Sequence, residues 1–383
     1  MYSLFPRPAA PSVFLMLFCC LLSWSTSAQK GQALTEAGAV KIVPIVDSLE
    51  HPWGLAFLPD GRMLITERPG RLRILEADST LSEPVEGLPE LLAYGQGGLL
   101  DVALDPDFAE NQFVYLSFSD PGQDSMVSSA FGRGKWVDDR LEDFETLFVQ
   151  DYKMKGPNHF GGRMEFAEDG MLYFTMGERF QFDPAQDLSN HLGTVVRLNK
   201  DGSVPDDNPF VGQQDALPEI YSYGHRNIQA AAINPATGTL WVTEMGPMGG
   251  DELNEVKAGE NYGWPVVSWG DNYDNTKIPD PTTRPEFTDA AIHWSPTISP
   301  SGMLFYTGDV FEAWRGNALI GGLTAGGIIR VAVNGSSAEE LERIPIGARV
   351  RDVVQAPDGT LYVLTDADNG QLFHLRRFTE DGK

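Results

Sequence analysis

"EDGMLYFTMGE" (168–178) places a tight turn directly before a short run with the alternation of a strand. Glycine accepts positive φ at no steric cost, so Asp169-Gly170 suits the turn. The residues after it are aromatic or aliphatic with period two, as a strand requires. The unit recurs as "PDGRMLITE" (59–67), "DPDFAENQFVYLSFS" (105–119), "PATGTLWVTEMG" (235–246), "PSGMLFYTG" (300–308) and "PDGTLYVLTD" (358–366). Before most copies lies another strand-like stretch, such as "GLAFL" (54–58) or "VVQA" (353–356). After them comes a partner, such as "RLRIL" (71–75) or "GTVVRLN" (193–199). A compact four-stranded blade needs about 40–45 residues. The copies here are spaced more widely, and the surplus is assigned to loops on one face. Six copies predict an all-β, six-bladed β-propeller around a central axis. A β-sandwich or a pair of barrels is the competing architecture, and repetition along the whole chain argues against it. In a propeller, loops from every blade meet at one end of the channel. A site there draws single residues from distant parts of the sequence.

Residues 1–28 read differently. They carry one charge, Arg7, then the apolar run "VFLMLFCCLL" (13–22), then the small residues of "SWSTSA" (23–28). That is the pattern of a secretory signal peptide cleaved after Ala28. The run is too short to span a bilayer. Phe18 before Cys19 does not suit a lipid attachment site. The expectation is a single propeller domain over 29–383 in a periplasmic or secreted protein. Cys19 and Cys20 are the only cysteines and fall in the leader, so the remaining chain has no disulfide, thiolate metal site or catalytic thiol. The net charge of -26, with no basic cluster, excludes nucleic acid as a partner. Acidic residues are scattered through turns, which favours solubility or, in some turns, Ca²⁺ coordination.

"KGPNHFGGRMEF" (155–166) sets His159 among glycines and a proline at the entry to a strand. Imidazole takes a proton near neutral pH, so His159 is a candidate general base; an isolated histidine is otherwise a satisfied turn residue. The adjacent glycines would leave room for a flat ring over the main chain. In "YGHRNIQ" (223–229), Arg226 can hold a carboxylate or polarise a carbonyl, or act as a structural clamp. "EMGPMGGDELNEV" (244–256) crowds glycine, proline and acid after a strand, and its oxygens suit Ca²⁺ although the spacing is not that of an EF-hand. Arg349 and Arg351 share one face of a strand, which suggests an anionic ligand or a solvated edge. Gln96 in "AYGQGGLLDVALDP" (93–106) can donate and accept. "WSPT" (294–297) offers an aromatic plane and a hydroxyl.

Taken in order, "HPWGLAFLPDGRMLITER", "GQGGLLDVALDP", "HFGGR", "YGHRN", "EMGPMGGDELN", "AGENYGWP" and "RVRDVVQAPDG" resemble the soluble aldose sugar dehydrogenases of the glucose/sorbosone dehydrogenase-like family, which use pyrroloquinoline quinone (PQQ). The resemblance covers nearly all of the chain after the leader. It implies that His159 takes the proton of the anomeric hydroxyl of an aldose while hydride passes from C1 to the quinone. It implies that Arg226 stabilises charge on the quinone oxygens. Gln96, Asn227, Tyr273 and Thr297 match cofactor or substrate contacts, and Arg349 and Arg351 would pair with cofactor carboxylates. The carbonyls of Gly246 and Pro247 match ligands of a polarising Ca²⁺. Glu252 and the Tyr262 carbonyl match a second, structural Ca²⁺. The product would be an aldonolactone, with electrons leaving to an acceptor that no motif identifies. Two positions depart from the pattern. Thr324 in "GGLTAGG" (321–327) stands where a lysine reaches a cofactor carboxylate, and Asn158 stands where some relatives carry an acid beside the base. A Ca²⁺-dependent propeller lactonase or esterase, or a sugar-binding propeller without cofactor, are the alternatives.

Overall fold

The computed structural model describes residues 31–378, so the signal-peptide expectation lies outside the described residues. The chain forms six antiparallel sheets arranged as the blades of a propeller, as the repeats predict. The innermost strands are Pro52–Phe57, Leu99–Leu104, Gly161–Phe166, Ile228–Ile233, Pro300–Phe305 and Val350–Gln355, and they define blades I to VI. Each packs against the next, and the last against the first, so the ring is closed. Blade VI is completed from the other end of the chain. Gly38–Leu49 pairs with Gly370–Arg377, and Gln32–Thr35 adds the outermost strand. Among the described residues no helix is long and apolar enough to cross a membrane.

Five of the repeated units supply the second strand of their blade, such as Leu172–Met176 in blade III. The unit at 300–308 does not. It is the innermost strand of blade V, and the second strand there is Ala318–Gly322. Ser301-Gly302 is therefore no turn. A Cβ on Gly302 would lie 1.8 Å from the Asp352 carboxylate, so glycine is required by close approach to blade VI.

The apolar alternation does not build one core. Among the described residues eight separate clusters form, and six of them each lie between two neighbouring blades. Trp241 and Trp294 fill the interface of blades IV and V, while Tyr306, Phe311 and Trp314 fill that of V and VI. Trp294 is 5 % exposed and donates Nε1–H to Glu340 at 2.7 Å. Its plane is spent on packing rather than offered to a ligand, which corrects the reading of "WSPT".

The axis is closed by one side chain. Arg163, on the innermost strand of blade III, donates to Asp101 of blade II and pairs with Asp352 of blade VI, both at 3.1 Å. Its Nε donates to the Gln229 carbonyl of blade IV, and its guanidinium lies 4.1 Å over the Trp53 ring of blade I. Burial pushes Asp352 up to about 6 despite Arg163, and raises Asp101 as well. Replacing Arg163 by methionine leaves two buried carboxylates without a cation, a loss of roughly 3–5 kcal/mol. These acids bind protons more tightly folded than unfolded, so stability contributed by their protonated form is lost as pH rises through the raised value. Urea midpoints of Arg163→Met should therefore fall further below wild type at pH 8 than at pH 5. An equal fall at both would contradict this.

Candidate active site

Antiparallel pairing brings the start of each innermost strand beside the end of the second strand. At that end of the channel the strand starts present Gln96, His159, Arg226, Asn227, Ser299 and Arg349. The second strands end on Arg68, Glu178, Met245, Leu323 and Asp366. A bulge or register shift interrupts the entry of the innermost strand in every blade. Bulges turn side chains away from the ladder, here at the channel mouth. A cavity of about 190 Å³ results, lined among others by Trp53, Arg68, Gln96, Asn227, Arg349 and Arg351.

His159 precedes the lining residues Phe160 and Gly161 and is 6 % exposed, with a left-handed φ of 54°. Its Nδ1 lies 2.5 Å from Glu178 Oε1, a carboxylate with no exposed side-chain surface. A buried carboxylate at Nδ1 fixes the proton there and leaves Nε2 as the free acceptor. The backbone is held as firmly. Gln96 accepts from His159 N at 2.8 Å and donates its own N–H to the Pro157 carbonyl at 2.7 Å. Arg179 donates to the carbonyls of Gly156, Asn158 and Val127 at 2.7–2.9 Å and lies 3.8 Å over the Phe160 ring. The packing of the strand requires these glycines: a Cβ on Gly161, which also lines the cavity, would strike Met176 Cα at 2.6 Å, and one on Gly162 would strike Leu100 at 2.6 Å. Burial lowers the His159 pKa below its ordinary value; Glu178 opposes this, and Arg226 and Arg179 add to it.

Arg226 donates Nη1–H to the carbonyls of Met245 and Gly246, each at 2.8 Å, and Nη2–H to the Tyr273 hydroxyl at 3.1 Å. Its Nε is buried with no partner. Tyr273 itself is 57 % exposed and marks the outer rim. Asn227 lines the cavity, with its Oδ1 accepting from Gln229 at 3.2 Å. Arg351 donates to Asp366 at 2.8 Å and to Gln229 at 3.2 Å, and its buried Nε is also unpartnered. Arg349 reaches Asp366 at 3.4 Å. Burial acts to raise Asp366, but Arg351 and His51 hold it well below the usual carboxylate range. Thr297 does not line the cavity; Ser299 does. The Thr324 hydroxyl is turned to the Thr297 carbonyl and the Ser299 hydroxyl. Arg68, which sequence reasoning missed, adds a third guanidinium to the mouth.

Behind Arg226 the loop at 244–256 folds over a cleft of about 10 Å³ lined by Glu244, Gly246, Glu252 and Tyr262. Asn254 donates to Glu244 at 3.0 Å and to Glu252 at 3.2 Å, and its buried Oδ1 has no partner. Burial and the neighbouring Glu244 push Glu252 well up. Pro247 is buried beside Gly246. Among the described residues no three His, Cys or acidic side chains converge, so a cation here would use carbonyl and amide oxygens too. Oxygen donors around an ion-sized space are a donor set for Ca²⁺.

Comparison with known proteins agrees with this geometry. The family model described as glucose/sorbosone dehydrogenase matches residues 49–374. The chain is 44% identical over 378 residues to the aldose sugar dehydrogenase YliI of Escherichia coli K12, covering 95% of this chain and 98% of that protein. The crystal structure of the soluble E. coli aldose sugar dehydrogenase in its apo form superposes with a TM-score of 0.84 at 44% identity, over 88% of this chain and 99% of that one. The PQQ-bound aldose sugar dehydrogenase of Streptomyces coelicolor superposes with a TM-score of 0.72 at 26% identity, over 88% of this chain and 98% of that one.

The electrostatics of His159 can be tested without any ligand. Its imidazole resonances should titrate below the ordinary pKa of about 6.5. Glu178→Gln removes the group that stabilises the charged ring and should move the midpoint lower. Arg226→Leu removes a like charge and should move it higher. A wild-type midpoint at or above 6.5, or no change in Glu178→Gln, would contradict the assignment.

Proposed function

The chain belongs to the glucose/sorbosone dehydrogenase family, and on that premise we propose that it is a PQQ- and Ca²⁺-dependent aldose dehydrogenase. The observation that carries this reading is the buried His159–Glu178 pair beside a mouth rich in guanidinium. PQQ bears three carboxylates. Arg68, Arg349 and Arg351 face one acid, Asp366, and the Nε atoms of Arg226 and Arg351 have no partner. That set fits a flat polyanion without a lysine at position 324.

When bound at this mouth, PQQ supplies the two-electron acceptor for the hydride leaving C1 of the sugar. The anomeric O–H proton goes to His159 Nε2, the C1–H leaves as hydride, and the C1–O bond becomes the carbonyl of an aldonolactone. Glu178 keeps the imidazole in the tautomer that can accept and stabilises the imidazolium that forms. Arg226 turns its unpartnered Nε toward charge that develops at the acceptor. Gln96 and Asn227 set the floor of the site. The carbonyls of Gly246 and Pro247 would hold the Ca²⁺ that acts as a Lewis acid, with Arg226 ceding the Gly246 oxygen. Glu252 and the Tyr262 carbonyl would hold a second, structural Ca²⁺. Thr297 and Tyr273 would serve as outer contacts. A lactonase would need a free carboxylate in the mouth, whereas Asp366 is engaged by Arg349, Arg351 and His51. We infer also that the leader is removed and the propeller acts outside the cytoplasm.

Titrating purified protein with PQQ and Ca²⁺ should give a saturable absorbance change and dye-coupled oxidation of an aldose. His159→Ala should lower turnover by about 10²-fold or more while cofactor affinity barely changes. Absence of the spectral change would overturn the proposed function. Normal turnover in His159→Ala would overturn the base.

A further inference from the structure

The ring closes where the turn after the second strand of blade VI meets the entry to blade I, and His51 sits in that seam. Its N–H donates to the Ala367 carbonyl at 2.9 Å, and its carbonyl accepts the Arg68 N–H at 3.1 Å. Its φ of 45° lies in the left-handed region that non-glycine residues seldom occupy. Such backbone persists where the surroundings impose it. The imidazole stands between two carboxylates. Nδ1 is 2.8 Å from Asp366 Oδ1, and Nε2 is 2.8 Å from Asp368 Oδ1. The Asp366 side chain is buried, whereas that of Asp368 is almost wholly exposed.

His51 does not line the cavity, yet it touches the acid that does. Asp366 divides its oxygens. Oδ1 meets His51, while Oδ2 accepts from Arg351 at 2.8 Å and from Arg349 at 3.4 Å. The other charged groups around the imidazole are fixed. Arg68 acts on Asp366 from the end of the second strand of blade I. Glu50 and Glu67 are held by Arg71, and Glu67 also by Arg73. Burial acts to raise Asp366, but Arg351 and His51 outweigh it, so this acid stays ionised through the neutral range. Arginine does not titrate in that range and histidine does. A neutral imidazole has one donor; only an imidazolium donates to both carboxylates.

We propose that His51 is a positioning residue that ties the grip of the mouth on an anionic ligand to its own protonation. The inference rests on the dehydrogenase reading for the identity of that ligand, PQQ. As an imidazolium, His51 donates at both nitrogens and offsets the charge of Asp366. The guanidiniums of Arg68, Arg349 and Arg351 then present more of their charge to the cavity. As a neutral ring, His51 keeps one donor, and Asp366 sets its whole charge against Arg351 and Arg349. The seam thus gains one positive charge as pH falls, while carboxylates of a ligand stay ionised above about pH 5. Affinity for the anion therefore rises on acidification. His159 adds charge of the same sign at the mouth, so the share of His51 is read from its own variants.

The test measures the Kd of PQQ at pH 5 and pH 8, in the presence of Ca²⁺, by absorbance titration. Wild type should bind more tightly at pH 5, and the gain should exceed that of His51→Gln about fivefold. His51→Lys carries a permanent charge. It should bind more tightly than His51→Gln at pH 8 and show the same reduced pH dependence. Equal pH dependence in all three proteins overturns the inference, and so does tighter wild-type binding at pH 8. A second readout needs no quinone. The Nε–H resonance of Arg351, assigned by its loss in Arg351→Lys, should move further between the two pH values in wild type than in either His51 variant. Equal movement overturns the inference. No saturable PQQ binding at either pH sinks the dehydrogenase reading, and the Arg351 resonance then decides the role of His51 alone.

Discussion

The ring depends on the guanidinium of Arg163 at its axis. Six blades pack through six separate apolar seams, and no seam crosses the channel. Only Arg163 reaches blades I, II, IV and VI from its place in blade III. Its two carboxylate partners come from the adjacent blade II and from blade VI across the ring. The triad acts less as a source of stability than as a registration device, because its geometry is met only when the blades stand at the right spacing. The strand that carries Arg163 also begins with the bulge behind His159. The position of the base is thus tied to the position of the axis.

That tie explains how side chains from sequence positions 68 to 366 form one site. Each blade delivers a first strand that starts at the mouth and a second that ends there. A residue at the first place lies beside a residue at the second. His159 with Glu178 and His225 with Glu244 are the same pairing in adjacent blades, and Asp366 does likewise for His51 across the closure. Of these three pairs, only His51–Asp366 has a member, Asp366, that lines the cavity.

Much of this was legible in the sequence because the repeat carries both turn chemistry and strand period. The phase of blade V was not, since Pro300–Phe305 has the same alternation as a second strand and its Ser-Gly looks like a turn. The true reason for Gly302 is contact with Asp352, some fifty residues away. Closure by Gly38–Leu49 was equally hidden, because that segment lacks the turn. At the site, His159 and Arg226 stood out through glycine and local composition. Glu178 did not, although one quoted repeat ends on it, as others end on Glu67 and Asp366. An acid near the end of several units was the signal, and its meaning required the antiparallel neighbour. Arg68 follows the same rule one residue later.

The charge of the mouth runs against that of the molecule. The chain carries -26 overall, yet three guanidiniums share one carboxylate at the cavity. Three bare arginines would repel each other and swing toward water. Asp366 prevents that by binding Nη2 of Arg351 and approaching Arg349, so the side chains are already aimed before any ligand arrives. Pre-aimed donors lose little freedom on binding, which favours affinity. The cost is that Asp366 cancels part of the field an anion would feel. Asp366 takes Nη2 of Arg351 and Gln229 takes Nη1. Arg226 is held likewise, its Nη groups donating to two carbonyls and to Tyr273. At position 324 the threonine hydroxyl is turned to its own loop, to the Thr297 carbonyl and the Ser299 hydroxyl.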